Sequence, residues 1–163
     1  EAFAIAKRTT QSEYKLLVAG EKISNKYQNE IINTIKKQKI KDSVILLGGV
    51  SKEDLRYLFS SCKFLIFPSP CENYAYTLVE AMSCGAPIVC SNTTAMPETC
   101  QDAALYFDPY NTAEMSQQIS QFINNEKLRN SYSKKSIARA KKLPDYEDVT
   151  LQTLDIMKNL VNE

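Results

Sequence analysis

KFLIFPSPCENYAYTLVEAMSCGAPIVCSN, Lys63 to Asn92, is the stretch that decides the fold. It opens on an apolar run, Phe64 to Phe67, and passes through a turn rich in Pro and Ser. TLVEAMSC follows with helical spacing, then Gly85, then a second apolar run in PIVCS. Short apolar runs bounded by turn residues read as strands buried on both faces, and Gly85 is placed to adopt the left-handed conformation that closes a helix. The stretch is strand, turn, helix, strand, the unit from which parallel sheets are assembled.

Working outward, both flanks repeat the alternation. Upstream, EAFAIAKRTT reads as the tail of a helix, and Tyr14 to Gly20 (YKLLVAG) as a buried strand. Asn25 to Lys39 reads as a helix with Ile31, Ile32 and Ile35 on one face, and Ser43 to Gly49 (SVILLGG) as a second buried strand. Ser51, followed by Glu53 and Asp54, marks an N-cap with acids in the first turn and predicts a helix to about Ser61. Downstream, Pro97-Glu98 starts a short helix and Ala104 to Asp108 forms a last strand. Helices follow over Thr112 to Asn124, Asn125 to about Leu143 and Tyr146 to Val161, with Pro144-Asp145 as the break before the last. The predicted fold class is α/β: a Rossmann-like parallel sheet flanked by helices on both faces, in one domain over residues 1–163.

Composition narrows the function classes. With 20 basic and 19 acidic side chains the formal charge is +1, and no basic stripe with interleaved aromatics stands out, so nucleic acid is not an expected partner. Apolar runs are far shorter than the roughly 20 residues of a membrane span, which points to a soluble protein, and the cysteine usage points to a cytoplasmic one. Five cysteines, an odd number without a Cys-x-x-Cys pair, favour reduced thiols. With no histidine, a Ser-His or Cys-His nucleophile pair cannot form within the chain, and the cysteines lack metal-type spacing, so no metal is expected.

Ligands of open parallel sheets bind beyond the carboxyl ends of the strands, and the segment after Phe67 lies at such an end. A helix starting near Tyr76 or Thr77 leaves backbone N–H groups unpaired beside a partial positive charge, a setting for phosphate. Glu72, before that start, is then placed to accept from sugar hydroxyls, and Glu80, just after it, to grip a ribose diol. Each residue also has a plainer reading. Thr77-Leu78-Val79-Glu80 equally fits the Ser/Thr-x-x-Glu capping box, Glu72 alone is an ordinary solvated loop residue, and Tyr74 and Tyr76 suit packing on a sheet edge. Cys84 and Cys90 read as small buried hydrophobes, and Gly48-Gly49 as a turn after a strand.

The same residues carry a resemblance. Pro68-Ser69, Glu72, Glu80-Ala81-Met82, Cys84-Gly85, Pro87-Ile88-Val89 and Ser91-Asn92 resemble the signature of retaining GT-B glycosyltransferases of the group-one, or family-four, type. LLVAGE, GGVSKEDLRYLFSSC and MPETCQDAALYFDP flank it in the family's order. The resemblance implies the C-terminal, nucleotide-sugar-binding half of a two-domain enzyme that transfers sugar with retention to a glycan or lipid-linked acceptor held by a preceding N-terminal domain. It implies Glu72 at the donor sugar as the catalytic residue and Glu80 at the ribose. The backbone of Asn73, Tyr74, Ala75, Tyr76, Thr77 and Leu78 would lie around the diphosphate, and Gly49 and Val50 would line the base pocket. It implies no cofactor, a UDP- or GDP-linked donor, work in polysaccharide, lipopolysaccharide or glycolipid assembly, and peripheral association of the full enzyme with the inner face of a membrane.

Two departures from the family pattern shape what to expect. Where many relatives have Glu-Gly-Phe-Gly-Leu-Pro, this chain has Glu72-Asn73-Tyr74-Ala75-Tyr76-Thr77, so both glycines and the proline are replaced. The family's first strand, with the following loop that brings Arg and Lys to the diphosphate, is expected upstream of Glu1. Without it, Tyr14–Gly20 and Phe64–Phe67 either face each other across a gap or pair directly, and the chain is expected to be a fragment that binds donor weakly and transfers no sugar alone. The helix 146–163 is expected to pack toward the N-terminal domain through Leu151, Leu154, Ile156 and Met157. From other classes, the alternatives are a non-catalytic nucleotide or phospho-ligand module on a doubly wound fold, or an interaction domain that has lost its ligand.

Overall fold

The structure is a computed structural model, and it describes residues 1–21, 24–144 and 146–161. Five strands alternate with helices: α1 (Ala2–Thr10), β1 (Leu16–Ala19), α2 (Asn25–Lys37), β2 (Val44–Gly48), α3 (Lys52–Ser61), β3 (Leu65–Phe67), α4 (Tyr76–Ser83), β4 (Ile88–Ser91), α5 (Met96–Cys100), β5 (Ala104–Phe107), α6 (Thr112–Asn124), α7 (Glu126–Ala140) and α8 (Tyr146–Val161). The predicted elements are present within a few residues. Of the predicted Pro144-Asp145 break, Asp145 lies outside the described residues, as do the last two positions of the expected 146–163 segment.

Every pairing is parallel, but the strands form two sheets. One is β1-β2 and the other β3-β4-β5. The gap between Tyr14–Gly20 and Phe64–Phe67, rather than direct pairing, is therefore the observed outcome. Helix α1 spans the interval. Its Ala2 and Ala6 pack with Ile119 of α6 against Phe64 and Ile66, while its Phe3 and Ala4 pack with Ile40 against Leu16 and Val44.

The three-stranded sheet is covered on both faces because its apolar side chains alternate. Phe64 and Ile66, Val89, and Leu105 and Phe107 point toward α1, α6 and α7. Leu65 and Phe67, Ile88 and Cys90, and Ala104 and Tyr106 point toward α3, α4 and α5. Such period-two alternation of wholly apolar strands is what a parallel sheet with two helical layers requires. Strand β4, paired on both edges, is buried throughout.

The β1-β2 pair corrects the expectation of buried strands. Leu16 and Val44 face α1 and α2, but Leu17 and Ile45, opposite each other in register, stay 45% and 40% exposed. Apolar runs reach burial only with a layer on each face and a neighbour on each edge, and among the described residues this pair lacks one of each. Helix α2 likewise contributes no fully buried residue.

The predicted helix ends hold. Ser51 Oγ accepts from the Asp54 amide at 3.0 Å, capping α3. At the end of α4, Gly85 has φ +77°, its amide donates to Met82 O and the Ala86 amide donates to Ala81 O, both at 3.0 Å, which is the Schellman arrangement.

Candidate functional site

Phe67 ends β3, and the chain then runs through residues 68–75 before α4 begins. Ala75, not Thr77, caps that helix, with φ −83° and ψ 69° and no side-chain cap. These angles, with the Tyr76 amide donating to Tyr74 O at 3.0 Å, define an inverse γ-turn centred on Ala75. The Ala75 methyl is buried in the main core, which anchors the turn. The capping-box reading of Thr77 and Glu80 is thereby removed. Glu80 sits beyond the first turn, and its carboxylate makes no hydrogen bond or ion pair among the described residues.

The γ-turn also sorts the backbone donors. Leu78 and Val79 donate to Ala75 O at 2.9 and 3.3 Å, as well-formed helix starts do. Among the described residues the amides of Asn73, Tyr74, Ala75 and Thr77 have no acceptor. They form a run of unsatisfied donors at the positive end of a helix, at the carboxyl end of a parallel strand. Leu78 differs from its neighbours in this loop: its side chain is wholly buried and its amide donates to Ala75 O. Tyr74 and Tyr76 stand in the open beside this turn, 41% and 55% exposed, with ring centroids 4.7 Å apart in an edge-on arrangement. They therefore do not pack into the sheet edge.

Glu72 is half-buried, and its segment is held by the loop that follows β4. Ser91 Oγ donates to Ser69 O, Thr93 Oγ1 donates to Pro70 O at 3.0 Å, and Thr94 Oγ1 accepts from the Glu72 amide at 3.0 Å. Sequence reasoning missed these hydroxyls. The available signal was Ser91, Thr93 and Thr94 clustered at the carboxyl end of a central strand. Gly49 and Val50 lie at the carboxyl end of β2, where Gly48 has φ +72° and accepts from the Gly20 amide at 2.9 Å. A Cβ on Gly49 would stand 3.4 Å from Glu21 Cγ, so the Glu21 side chain lies over this turn.

A groove of about 580 Å³ opens elsewhere, lined by Lys7, Arg8, Lys37, Gln38 and Lys39 among others. It lies where α1 and α2 end. Arg8 donates to Gln38 O at 3.4 Å and Lys7 donates to Ser12 O. Cations there answer the negative ends of two helix dipoles, so they are accounted for without a ligand. Among the described residues no group of three or more Cys, Asp or Glu is placed to hold a metal ion, and no helix is long and apolar enough to cross a membrane.

This arrangement of parallel strands flanked by helices has the fold of the C-terminal GT-B domains of glycosyltransferase structures. The chain belongs to the family "Glycosyl transferases group 1", which matches residues 1–139. It is 30% identical to O-antigen chain mannosyltransferase B of Escherichia coli over 98% of this chain and 41% of that protein. It thus spans less than half the length of that relative. Its fold matches sucrose-phosphate synthase from Thermosynechococcus elongatus with TM-score 0.83 and 19% identity, covering 99% of this chain and 42% of that one. Anabaena HepE in complex with UDP and glucose matches with TM-score 0.82 and 18% identity, over 96% of this chain and 44% of that one.

Proposed function

We propose that this chain is the donor-binding domain of a retaining glycosyltransferase, taking a nucleotide-diphosphate sugar for assembly of a polysaccharide, lipopolysaccharide or glycolipid. The observation that carries the reading is the run of unpaired amides at Asn73, Tyr74, Ala75 and Thr77, flanked by Glu72 on its fixed loop and Glu80 on the helix. The amides suit a diphosphate, Glu72 the sugar hydroxyls and Glu80 the ribose diol, with Gly49 and Val50 at the base. The E. coli relative is named for mannosyl transfer into O-antigen, and HepE was solved with UDP and glucose, which supports a sugar-nucleotide ligand here.

In the proposed reaction an acceptor hydroxyl oxygen attacks the anomeric carbon and the bond from that carbon to the phosphate oxygen breaks. The electron pair leaves on the diphosphate, and a phosphate oxygen of the donor takes the acceptor's proton. The amides contribute by meeting the charge that develops on the diphosphate, at positions fixed before the reaction begins. Helix α8, with Leu151, Leu154, Ile156 and Met157 exposed, is proposed to pack on an acceptor-binding domain. The test is calorimetric titration of the chain with UDP-, GDP- and ADP-sugars, beside Glu72→Ala and Glu80→Ala. Absence of binding by all three, or affinity in both variants equal to that of the parent, overturns the reading.

A further inference from the structure

We propose that Thr94 is a positioning residue for Glu72: it accepts a left-handed backbone in order to place its hydroxyl on the Glu72 amide. The proposal rests on the reading of Glu72 as the sugar-contacting carboxylate. Thr94 has φ 48°, a region that β-branched side chains seldom enter, and it lies at the carboxyl end of β4 next to the candidate site. An unfavourable backbone persists only where its surroundings hold it. Here the hydroxyl is committed on both sides. It accepts from the Glu72 N–H at 3.0 Å, and it donates toward Met96 Sδ at 3.9 Å, a sulfur on a wholly buried side chain.

The neighbouring bonds isolate what Thr94 adds. Ser91 and Thr93 fasten Ser69 and Pro70 through their carbonyls, two and more residues before the carboxylate. Of these three hydroxyls, that of Thr94 reaches Glu72 itself. A residue that merely filled the turn would be glycine, which enters the left-handed region freely but carries no hydroxyl.

The distinguishing variant is therefore Thr94→Gly, which relieves the backbone and deletes the acceptor, set against Thr94→Ser, which keeps the acceptor. Three readouts on this chain separate the possibilities: thermal midpoint, solvent exchange of the Glu72 amide by NMR, and NMR titration with UDP, GDP, UDP-glucose and GDP-mannose. Thr94→Gly is expected to hold or raise the thermal midpoint while its Glu72 amide exchanges roughly tenfold faster, and Thr94→Ser is expected to stay within about twofold of the parent. In Thr94→Gly the affinity for the free nucleotide is expected to stay within about twofold, while the affinity difference between sugar nucleotide and nucleotide disappears as it does in Glu72→Ala. Unchanged Glu72 exchange in Thr94→Gly, or an intact preference for the sugar nucleotide, overturns the proposal. If the parent chain binds none of the four compounds, the donor reading falls on its own, and the exchange arm still decides whether Thr94 holds Glu72.

Discussion

Glu72 and Glu80 stand on different supports, a loop tied down by hydroxyls and a regular helix, and that difference sets what each substitution does. Glu80 projects from a regular helix, exposed and without a partner among the described residues, so nothing in the fold depends on its carboxylate. Alanine has the higher helix propensity, and Glu80→Ala is expected to leave stability level or slightly raised. Loss of a charged hydrogen-bond acceptor to a ribose diol costs about 1.5–3 kcal/mol, so nucleotide affinity is expected to fall by roughly 10- to 100-fold. Calorimetry and thermal melts on the same sample check both halves. An affinity within about twofold of the parent, some 0.4 kcal/mol, removes the ribose role. Glu72→Ala is expected to differ in kind, lowering affinity for the sugar nucleotide and sparing the free nucleotide.

At the scale of the element, α4 is fixed at both ends by backbone devices, and its two ends were unequally legible. Gly85 at the C-terminus was plain, because a glycine between a helical run and a Pro-led strand has one obvious use. The start was legible to within a residue, near Tyr76 or Thr77, but its cap was not, since Thr77-x-x-Glu80 imitates a capping box while the helix is capped at Ala75, whose buried methyl is a tertiary contact. Thr94 was hidden for a related reason: propensity argues against a left-handed threonine, and only the Glu72 amide and the Met96 sulfur show what holds it there. Gly85→Ala tests the legible end. A side chain at φ +77° costs about 1–2 kcal/mol in backbone energy. Its Cβ would also meet Ile137 Cδ1 of α7 at 3.2 Å. Urea unfolding is expected to show a loss of that size or more; a loss no larger than the backbone cost would mean that α7 yields freely, and a neutral substitution would overturn the left-handed closure at Gly85.

The sheet's helical covering gives the element scale a pH signature. Burial pushes the Cys62 thiol up to about 11 from 9.0. Cys90 is raised by its hydrogen bond with Cys100 and then by burial, and Tyr106 by burial first and then by the nearby thiols. All three are neutral when protonated, and the fold keeps them so to higher pH than the unfolded chain does. Below about pH 9 both states hold these protons and the stabilisation is intact; above it the unfolded chain releases protons that the native chain retains, and stability falls through about pH 11 for Cys62. Urea midpoints measured at about pH 8, 9.5 and 11 are expected to decline in that order, and Cys62→Ala is expected to flatten the first part of the decline. A level profile would sink the assignment.

Across the whole molecule, stability is concentrated away from the β1-β2 pair. Strand β4 is buried along its length between two neighbours, with Phe107 and Phe122 wholly buried on one side and Leu78, Met82 and Met96 on the other. The β1-β2 pair has two strands, one face only partly covered, with Leu46 still 40% exposed, and a covering helix without a fully buried residue. Its sequence, YKLLVAG and SVILLGG, is as apolar as that of the central strands, which is why it reads as buried. Composition records what a strand can bury and not whether a neighbour is present to bury it. Two-stranded units are marginal alone, and regions with few buried apolar contacts open at a lower free energy than the global transition. Native-state hydrogen exchange is therefore expected to show the amides of Leu16–Ala19 and Val44–Gly48 exchanging roughly tenfold or more faster than those of Ile88–Ser91. Within the pair, the amides bonded across it should move together as one unit. The proposed donor site straddles this divide, since Glu72, Thr94 and the loop of residues 73–77 adjoin the three-stranded sheet while Gly49 and Val50 follow β2 of the other. Saturation with a bound nucleotide should then slow exchange in Val44–Gly48 more than in Ile88–Ser91, because binding that bridges the two parts adds its free energy to the opening of the looser one. Equal protection of both sheets in the unliganded chain would mean that α1 alone couples them into one cooperative unit.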